Sequence, residues 1–338
     1  VIDNFLSPEL YQAVRGFLLQ KLEEDKFKRA GLGSVFNNQL DTIDINPGDG
    51  VCADAGGKCT LRAAIMESNA FPLTQTIYVP SGTYLLTIPG AGEDNALTGD
   101  LDITATVLII GDGQNETIID GNGLDRVFHI TDYKTEIERQ LYGFDMPQLS
   151  NMTIQGGYAP YGGGVLVDLN DLSLFRHLTL RDNYANGQHP CGQSAGAALY
   201  STGYAAQLDY SVVTENRTPG TDLTTQYGAL GGLIDLSATS VINNETDWAI
   251  VFDNNTCIDL NSAGGIANAL IANNSGGAIY ANNIISIYYS TITNNVAGVV
   301  IDHPRSTIND TRILKSTIAD NGLFGFKFEK TTGLNVDT

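Results

Sequence analysis

Basic side chains are scarce. The chain holds 18 lysines and arginines against 38 aspartates and glutamates, a formal net charge of −20. No basic face is available to neutralise phosphates, which excludes a nucleic-acid partner and argues against anionic membranes. The balance favours solubility, calcium or cationic partners. Apolar runs are short, and none reaches the roughly 20 residues that span a bilayer as a helix. Past the first 30 residues, long stretches with apolar residues every three or four positions are missing, which excludes a helical repeat. Cysteine is sparse as well. Cys52 and Cys59 flank a six-residue loop with no histidine or further cysteine near enough for zinc spacing. A disulfide in an exported protein is favoured there over two free thiols in the cytosol. Cys191 and Cys257 are far apart, and the sequence does not say whether they pair.

What the chain does have is a recurring phrase. A short β-branched strand leads in three residues to an asparagine, then to glycines and another short strand. Asn183, Asn216, Asn274, Asn295 and Asn321 end five copies. Ile154 opens a copy with Gly157 in the asparagine place, and Ile242 opens one that reads Asn243-Asn244-Glu245. Successive copies begin 21 to 33 residues apart. That period marks a solenoid, in which each repeat buries its apolar face against its neighbours. Each repeat has room for about three strands and their turns. In register, the turn asparagines stack into a ladder, since Asn both donates and accepts hydrogen bonds and tolerates left-handed backbone. The predicted fold is therefore all-β, a parallel β-helix of about eight coils, on the order of 40 Å long.

The N-terminus differs. Residues 1–30 hold five acids and five bases, so the remainder carries the whole negative charge. Ser7-Pro8-Glu9 predicts a helix start, and Leu10, Val14, Phe17, Leu18 and Leu22 form one apolar face. Charges interleave with these residues, so the segment is not a secretory signal. The wording Val1 to Leu10 and Lys28-Arg29-Ala30-Gly31-Leu32-Gly33 resembles the beginning of an iron- and 2-oxoglutarate-dependent oxygenase of the prolyl-hydroxylase type. Such an enzyme needs a His-x-Asp motif, and none of His129, His177, His189 or His303 has aspartate two residues on. Oxygenase activity is rejected. The expected role is a helical remnant over residues 1–40 that covers one end of the solenoid.

Asp44 to Ala70 carries a second likeness. Cys59-Thr60-Leu61-Arg62-Ala63-Ala64 resembles the CSLREA-type domain that begins many secreted bacterial β-helix proteins, with Thr60 in the serine place and Ala63 in the glutamate place. The resemblance continues through Thr98-Gly99-Asp100-Leu101-Asp102-Ile103 and Leu124-Asp125-Arg126-Val127-Phe128-His129-Ile130. It implies a right-handed, pectin-lyase-like β-helix that is secreted or attached to the cell surface. Residues 41–98 are then a cap and first coil, and 99–338 the repeats, which the native chain is expected to continue. Thr60 would cap a short helix whose Leu61, Ala64 and Ile65 face the first coil.

Candidate chemistry is scattered. Asp44, Asn46 and Asp49 resemble a calcium loop, although Gly48 holds the fifth position where an EF-hand needs an oxygen; an Asx-rich turn is the plainer reading. Asp100 and Asp102 share one face of a strand and suit calcium, a sugar or plain solvent. Ile301-Asp302-His303 resembles part of a pectate-lyase motif, with Arg305 and Arg312 near in sequence, but the companion Arg-x-Pro-x-x-Arg is missing, as are the polygalacturonase motifs. Trp248, Tyr288 and Tyr289 are candidates for stacking on sugars. Asn115, Asn151 and Asn309 begin sequons that the repeat pattern itself generates. Two functions follow. One is a monomeric, non-catalytic adhesion or glycan-binding protein. The other is a calcium-assisted polysaccharide lyase or glycoside hydrolase acting on acidic polysaccharide.

Overall fold

A computed structural model of the chain describes residues 36–71, 74–131, 146–168, 172–188, 190, 194–220, 223, 226–252, 264–282, 285–302 and 311–329. The helix expected over the first 30 residues lies outside them, as do Cys191, Cys257, His303 and Arg305.

The β-branched runs alternate inward and outward side chains, and each pairs in parallel with a run one coil on. The result is a right-handed parallel β-helix with three strand-lined faces. The first face starts with β1 (Gln75–Val79) and β4 (Val107–Gly111), the second with β2 (Gly82–Leu85) and β5 (Thr117–Asp120), the third with β3 (Leu101–Ile103) and β6 (Phe128–Thr131). Inward residues stack without a break. On the first face Ile77 sits over Ile109, Leu149 and Phe175. On the second, Tyr84 sits over Ile119, Ile154 and Leu180. On the third, Leu101 sits over Phe128, Val165 and Leu199. These stacks are the core.

The corners between the faces set the geometry. From the second face to the third, each coil turns through one left-handed residue: Asp182, Glu215, Asn243, Asn273, Asn294 or Asp320, with φ between 51° and 59°. The ladder asparagine is the residue after it, so the left-handed backbone expected of the ladder residue falls one place earlier. Asn183, Asn216, Asn244, Asn274, Asn295 and Asn321 each receive two bonds on Oδ1, from the amide and the side-chain nitrogen of the coil before, where that coil has an asparagine. Their Nδ2 atoms donate to strand carbonyls, as Asn244 does to Val213 O and Ile242 O at 3.1 Å each. Gly157 stands where the ladder begins, donating its amide to Asn183 Oδ1 at 3.0 Å. A Cβ there would collide with the Gly163 carbonyl, which explains the missing asparagine.

The corner from the first face to the second has its own ladder, made of hydroxyls. Leu178 N donates to Ser211 Oγ, Ser211 N to Thr239 Oγ1, Ala269 N to Ser290 Oγ and Ser290 N to Ser316 Oγ, at 3.0–3.3 Å.

Helix α1 (Leu61–Asn69) closes the first coil. Thr60 Oγ1 accepts from Ala63 N at 3.1 Å and donates to Thr42 O at 2.7 Å. The sequence suggests one buried face, but Leu61 through Ser68 are all buried. The charged residues on the far side are covered because they hold loops. Glu67 accepts from Gly48 N and Gly50 N at 2.6 and 2.5 Å. Arg62 uses all five N–H groups: two on Asp41, at 2.6 and 3.2 Å, and three on the carbonyls of Ala96, Gly99 and Asp100, at 2.7–3.1 Å. Cys52 and Cys59 form a disulfide, and Phe36 bridges to Cys59.

Asn244→Ala strands buried donors and acceptors in three coils and is expected to destabilise the fold by about 1–3 kcal/mol. Asn321→Ala, at a half-buried rung, should cost less; denaturant midpoints of the two variants test the ordering. Arg62→Met leaves Asp41 without its cation, an expected loss of about 3–5 kcal/mol that Asp41→Asn in the same chain should partly restore.

Candidate functional site

The cap motif and two later motifs of the same resemblance converge in space. Leu101 and Ile103 point into the core, so Asp100 and Asp102 sit on the outer side of β3. One coil on, Phe128 and Ile130 point inward and His129 outward, paired in register with Asp102. On the next strand, β9 (Val165–Asp168), Val165 and Val167 point inward and Asp168 outward. Asp125 and Arg126 precede β6, and Asp94 comes from the loop that Arg62 holds through its carbonyls.

His129 is the centre of this group. Its Nδ1 lies 3.3 Å from Asp102 Oδ1 and 3.4 Å from Asp94 Oδ1, and its Nε2 lies 3.5 Å from Asp168 Oδ2. Asp102 Oδ2 is occupied by Ala96 N at 2.7 Å. Thr202 Oγ1 donates to the other oxygen of Asp168. Arg126 Nη1 reaches Asp100 Oδ2 at 3.0 Å, and its guanidinium lies over the Tyr161 ring, 5.9 Å from the centroid. Asp100, Asp102, Asp125 and His129 are all buried. Burial pushes the Asp100 carboxyl up, with Asp102 adding to it, to about 7. Burial also raises Asp125. For His129 burial works against the charged ring, but the carboxylates of Asp102 and Asp168 outweigh it and hold the imidazole up at about 9.

A second feature is exposed. The corner from the first face to the second turns through Asn151, His177, Tyr210, Ala238, Asn268, Tyr289 and Lys315, each at φ between 48° and 57°. The rings of His177 and Tyr210 stack at 5.3 Å and 17°. Lys315 Nζ lies 5.3 Å from the centre of the Tyr289 ring. Tyr210 and Tyr289 are 60% and 57% exposed.

The residues singled out in the sequence are dispersed. Asp44 accepts from Asn46 N at 2.8 Å and Ala53 N at 2.9 Å, and Asp49 from Val51 N at 2.8 Å, the pattern of Asx turns. Asp302 accepts from Tyr280 OH at 3.0 Å at the end of a third-face strand, whereas Arg312 opens a first-face strand. Trp248 is buried against Val251 and Val300, and Tyr289 is exposed. The sequence singles out neither Asp94 nor Asp168; Arg126 enters only inside a motif, and His129 only there and as a histidine without the oxygenase spacing. The alternation of Asp100-Leu101-Asp102 and Phe128-His129-Ile130 carried the signal, but only the coil-to-coil register joins them.

No protein-family model and no curated protein sequence matches the chain. Among solved structures, it resembles the A-module of the Azotobacter vinelandii mannuronan C-5 epimerase AlgE4, at 15% identity and a TM-score of 0.43, over 90% of this chain and 95% of that one. It also resembles the pectate lyase Pel9A, at 13% identity and a TM-score of 0.44, over 91% of this chain and 80% of that one. ORF18 of Geobacillus virus E2 aligns at 12% identity and a TM-score of 0.31, over 96% of this chain and 64% of that one. At these identities the likeness concerns coil architecture, which the strand pairing here establishes by itself.

The raised groups have a consequence for stability. Both His129 and Asp100 bind protons more tightly folded than unfolded, so each contributes against folding as pH rises through the interval between its two values. His129 adds stability that is complete below about 6.5 and lost by about 9. In chelator-treated protein, the denaturant midpoint is expected to fall between pH 6 and 9, and His129→Gln should flatten that slope.

Proposed function

We propose that the chain is a secreted or cell-surface glycan-binding β-helix whose contact surface is the exposed row at the corner between the first and second faces. The observation that carries this reading is the row of exposed rings His177, Tyr210 and Tyr289 at one corner. All three are bulky rings in left-handed conformation, which costs roughly 1–2 kcal/mol for an L-residue. Asn151 and Asn268 hold the same position in other coils at less strain. The corner itself demands a left-handed residue, as Ala238 and Lys315 show; what sets these three coils apart is that the residue there is an exposed ring. The rings do not serve the core, since Tyr210 and Tyr289 are mostly in solvent. His177 covers one face of Tyr210, and Lys315 covers one face of Tyr289. Ala238 and Asn268 hold the two corner positions between the tyrosines, which stand three rungs, or about 14 Å, apart. Sugar rings can stack in that interval, with Asn268 as hydrogen-bonding floor. The Cys52–Cys59 disulfide accords with an oxidising compartment. Among the described residues no helix is long and apolar enough to cross a membrane.

A second reading, a polysaccharide lyase or glycoside hydrolase, draws on the convergence of Asp94, Asp168, Arg126 and His129. One experiment separates the two. The protein is titrated against pectate, alginate and neutral glycans, with and without calcium, and the same samples are assayed for unsaturated and reducing ends. Binding without turnover is expected. Tyr210→Asn with Tyr289→Asn should weaken that binding about tenfold while leaving stability unchanged or higher. Product formation, or binding indifferent to both substitutions, refutes the proposal.

A further inference from the structure

We propose that Asp94, Asp102 and His129 form a binding site for a divalent transition-metal ion, a role separate from the glycan surface.

One ligand atom from each of the three residues lies within 4.8 Å of the other two. Acidic clusters are common without an ion, so the spacing of the donors matters more than their number. The two oxygens near His129 Nδ1 stand at 3.3 and 3.4 Å. A charge-assisted N–H···O bond is shorter, about 2.7–2.9 Å. Neither ring nitrogen makes a hydrogen bond of normal geometry, although His129 is only 7% exposed. The carboxylates compensate a charged ring only at ion-pair distance, and the space between them and Nδ1 is wider than a direct hydrogen bond needs. Donors about 2.1 Å from a tetrahedral ion stand about 3.4 Å from one another. The two separations from Nδ1 match that spacing, and the Asp94 and Asp102 oxygens lie within 4.8 Å of each other.

The surroundings are those of a prepared ligand set. Ala96 N occupies Asp102 Oδ2 and leaves Oδ1 facing the imidazole. On the far side of the ring, Asp168 Oδ2 lies 3.5 Å from Nε2, and Thr202 fixes the other Asp168 oxygen. A carboxylate behind a histidine is the usual partner that orients a metal-bound imidazole and raises its basicity. Asp94 is 58% exposed, so solvent reaches the outer side of the site and a fourth ligand position is open to water. The donor set also selects the ion. Calcium and magnesium take oxygen ligands, whereas an imidazole with two carboxylates suits zinc, manganese, iron or cobalt.

The test uses the full chain stripped of metal with chelator and dialysed against zinc or manganese chloride, with bound metal measured by elemental analysis and affinity by calorimetry. One ion per chain is expected, with a higher unfolding temperature in its presence and calcium at least tenfold weaker. Asp94→Asn should lower affinity at least tenfold with no change in the unfolding temperature of the metal-free protein, because that side chain is largely in solvent. His129→Gln should abolish binding, and circular dichroism establishes that this variant is folded. Failure of the parent chain to bind either ion stoichiometrically overturns the proposal. So does binding that survives Asp94→Asn undiminished, or calcium binding as tightly as zinc or manganese.

Discussion

At two corners of this coil, the amide that follows the left-handed residue finds no backbone partner among the described residues. The left-handed residue itself still donates to the next coil. The strands on the three faces bond to the coils before and after, but where the chain turns, the peptide plane rotates away from that ladder. In this protein the buried side chains at two corners replace the missing backbone partners. The asparagine ladder closes one corner and the hydroxyls of Ser211, Thr239, Ser290 and Ser316 close another. Both arrangements require the residue just before the ladder position to be left-handed. That requirement fixes register: a one-residue slip would put an aliphatic on the ladder and an amide in the core.

The fold was legible because its signal repeats. Asn183, Asn216, Asn274, Asn295 and Asn321 mark the ladder in the sequence itself, and Asn244 is hidden only by the neighbouring Asn243. The hydroxyl ladder passed unseen because Ala269 interrupts it and serine is common in any loop. The cap was legible as a motif but not as a mechanism. Nothing in Leu61-Arg62-Ala63 says that Arg62 will bind the carbonyls of Ala96, Gly99 and Asp100, 34 to 38 residues on. The candidate site was less legible still. Asp94, Asp102, His129 and Asp168 come from a loop and three successive coils, and each looks ordinary in its own segment. Only the register of β3, β6 and β9 makes them neighbours.

The cap and the cluster are mechanically one unit. Arg62 holds the carbonyls of the loop that carries Asp94, and Asp102 holds the amide of Ala96 in that loop. Asn69, at the end of α1, donates to Asp102 O and accepts from Thr104 N. The helix that closes the solenoid therefore also sets the distance between Asp94 and His129. A change in the cap would reach the cluster through backbone hydrogen bonds, without any contact between the altered residue and the histidine.

Charge explains why this cluster needs more than its own members. Asp94, Asp100, Asp102, Asp125 and Asp168 face two cations, Arg126 and His129. Three of these carboxylates, Asp100, Asp102 and Asp125, are buried, where gathering like charge is costly even beside Arg126 and His129. Part of the excess is removed by protonation, as the raised values of Asp100 and Asp125 express. Burial is the first cause for both, and it outweighs the opposing pull of Arg126. On the side of His129 the carboxylates of Asp102 and Asp94 face the imidazole at ligand spacing. A divalent ion there would neutralise the second half of the excess and let the imidazole remain uncharged. In the proposed arrangement the ion would sit on the His129 side, against the loop that Arg62 ties to the cap.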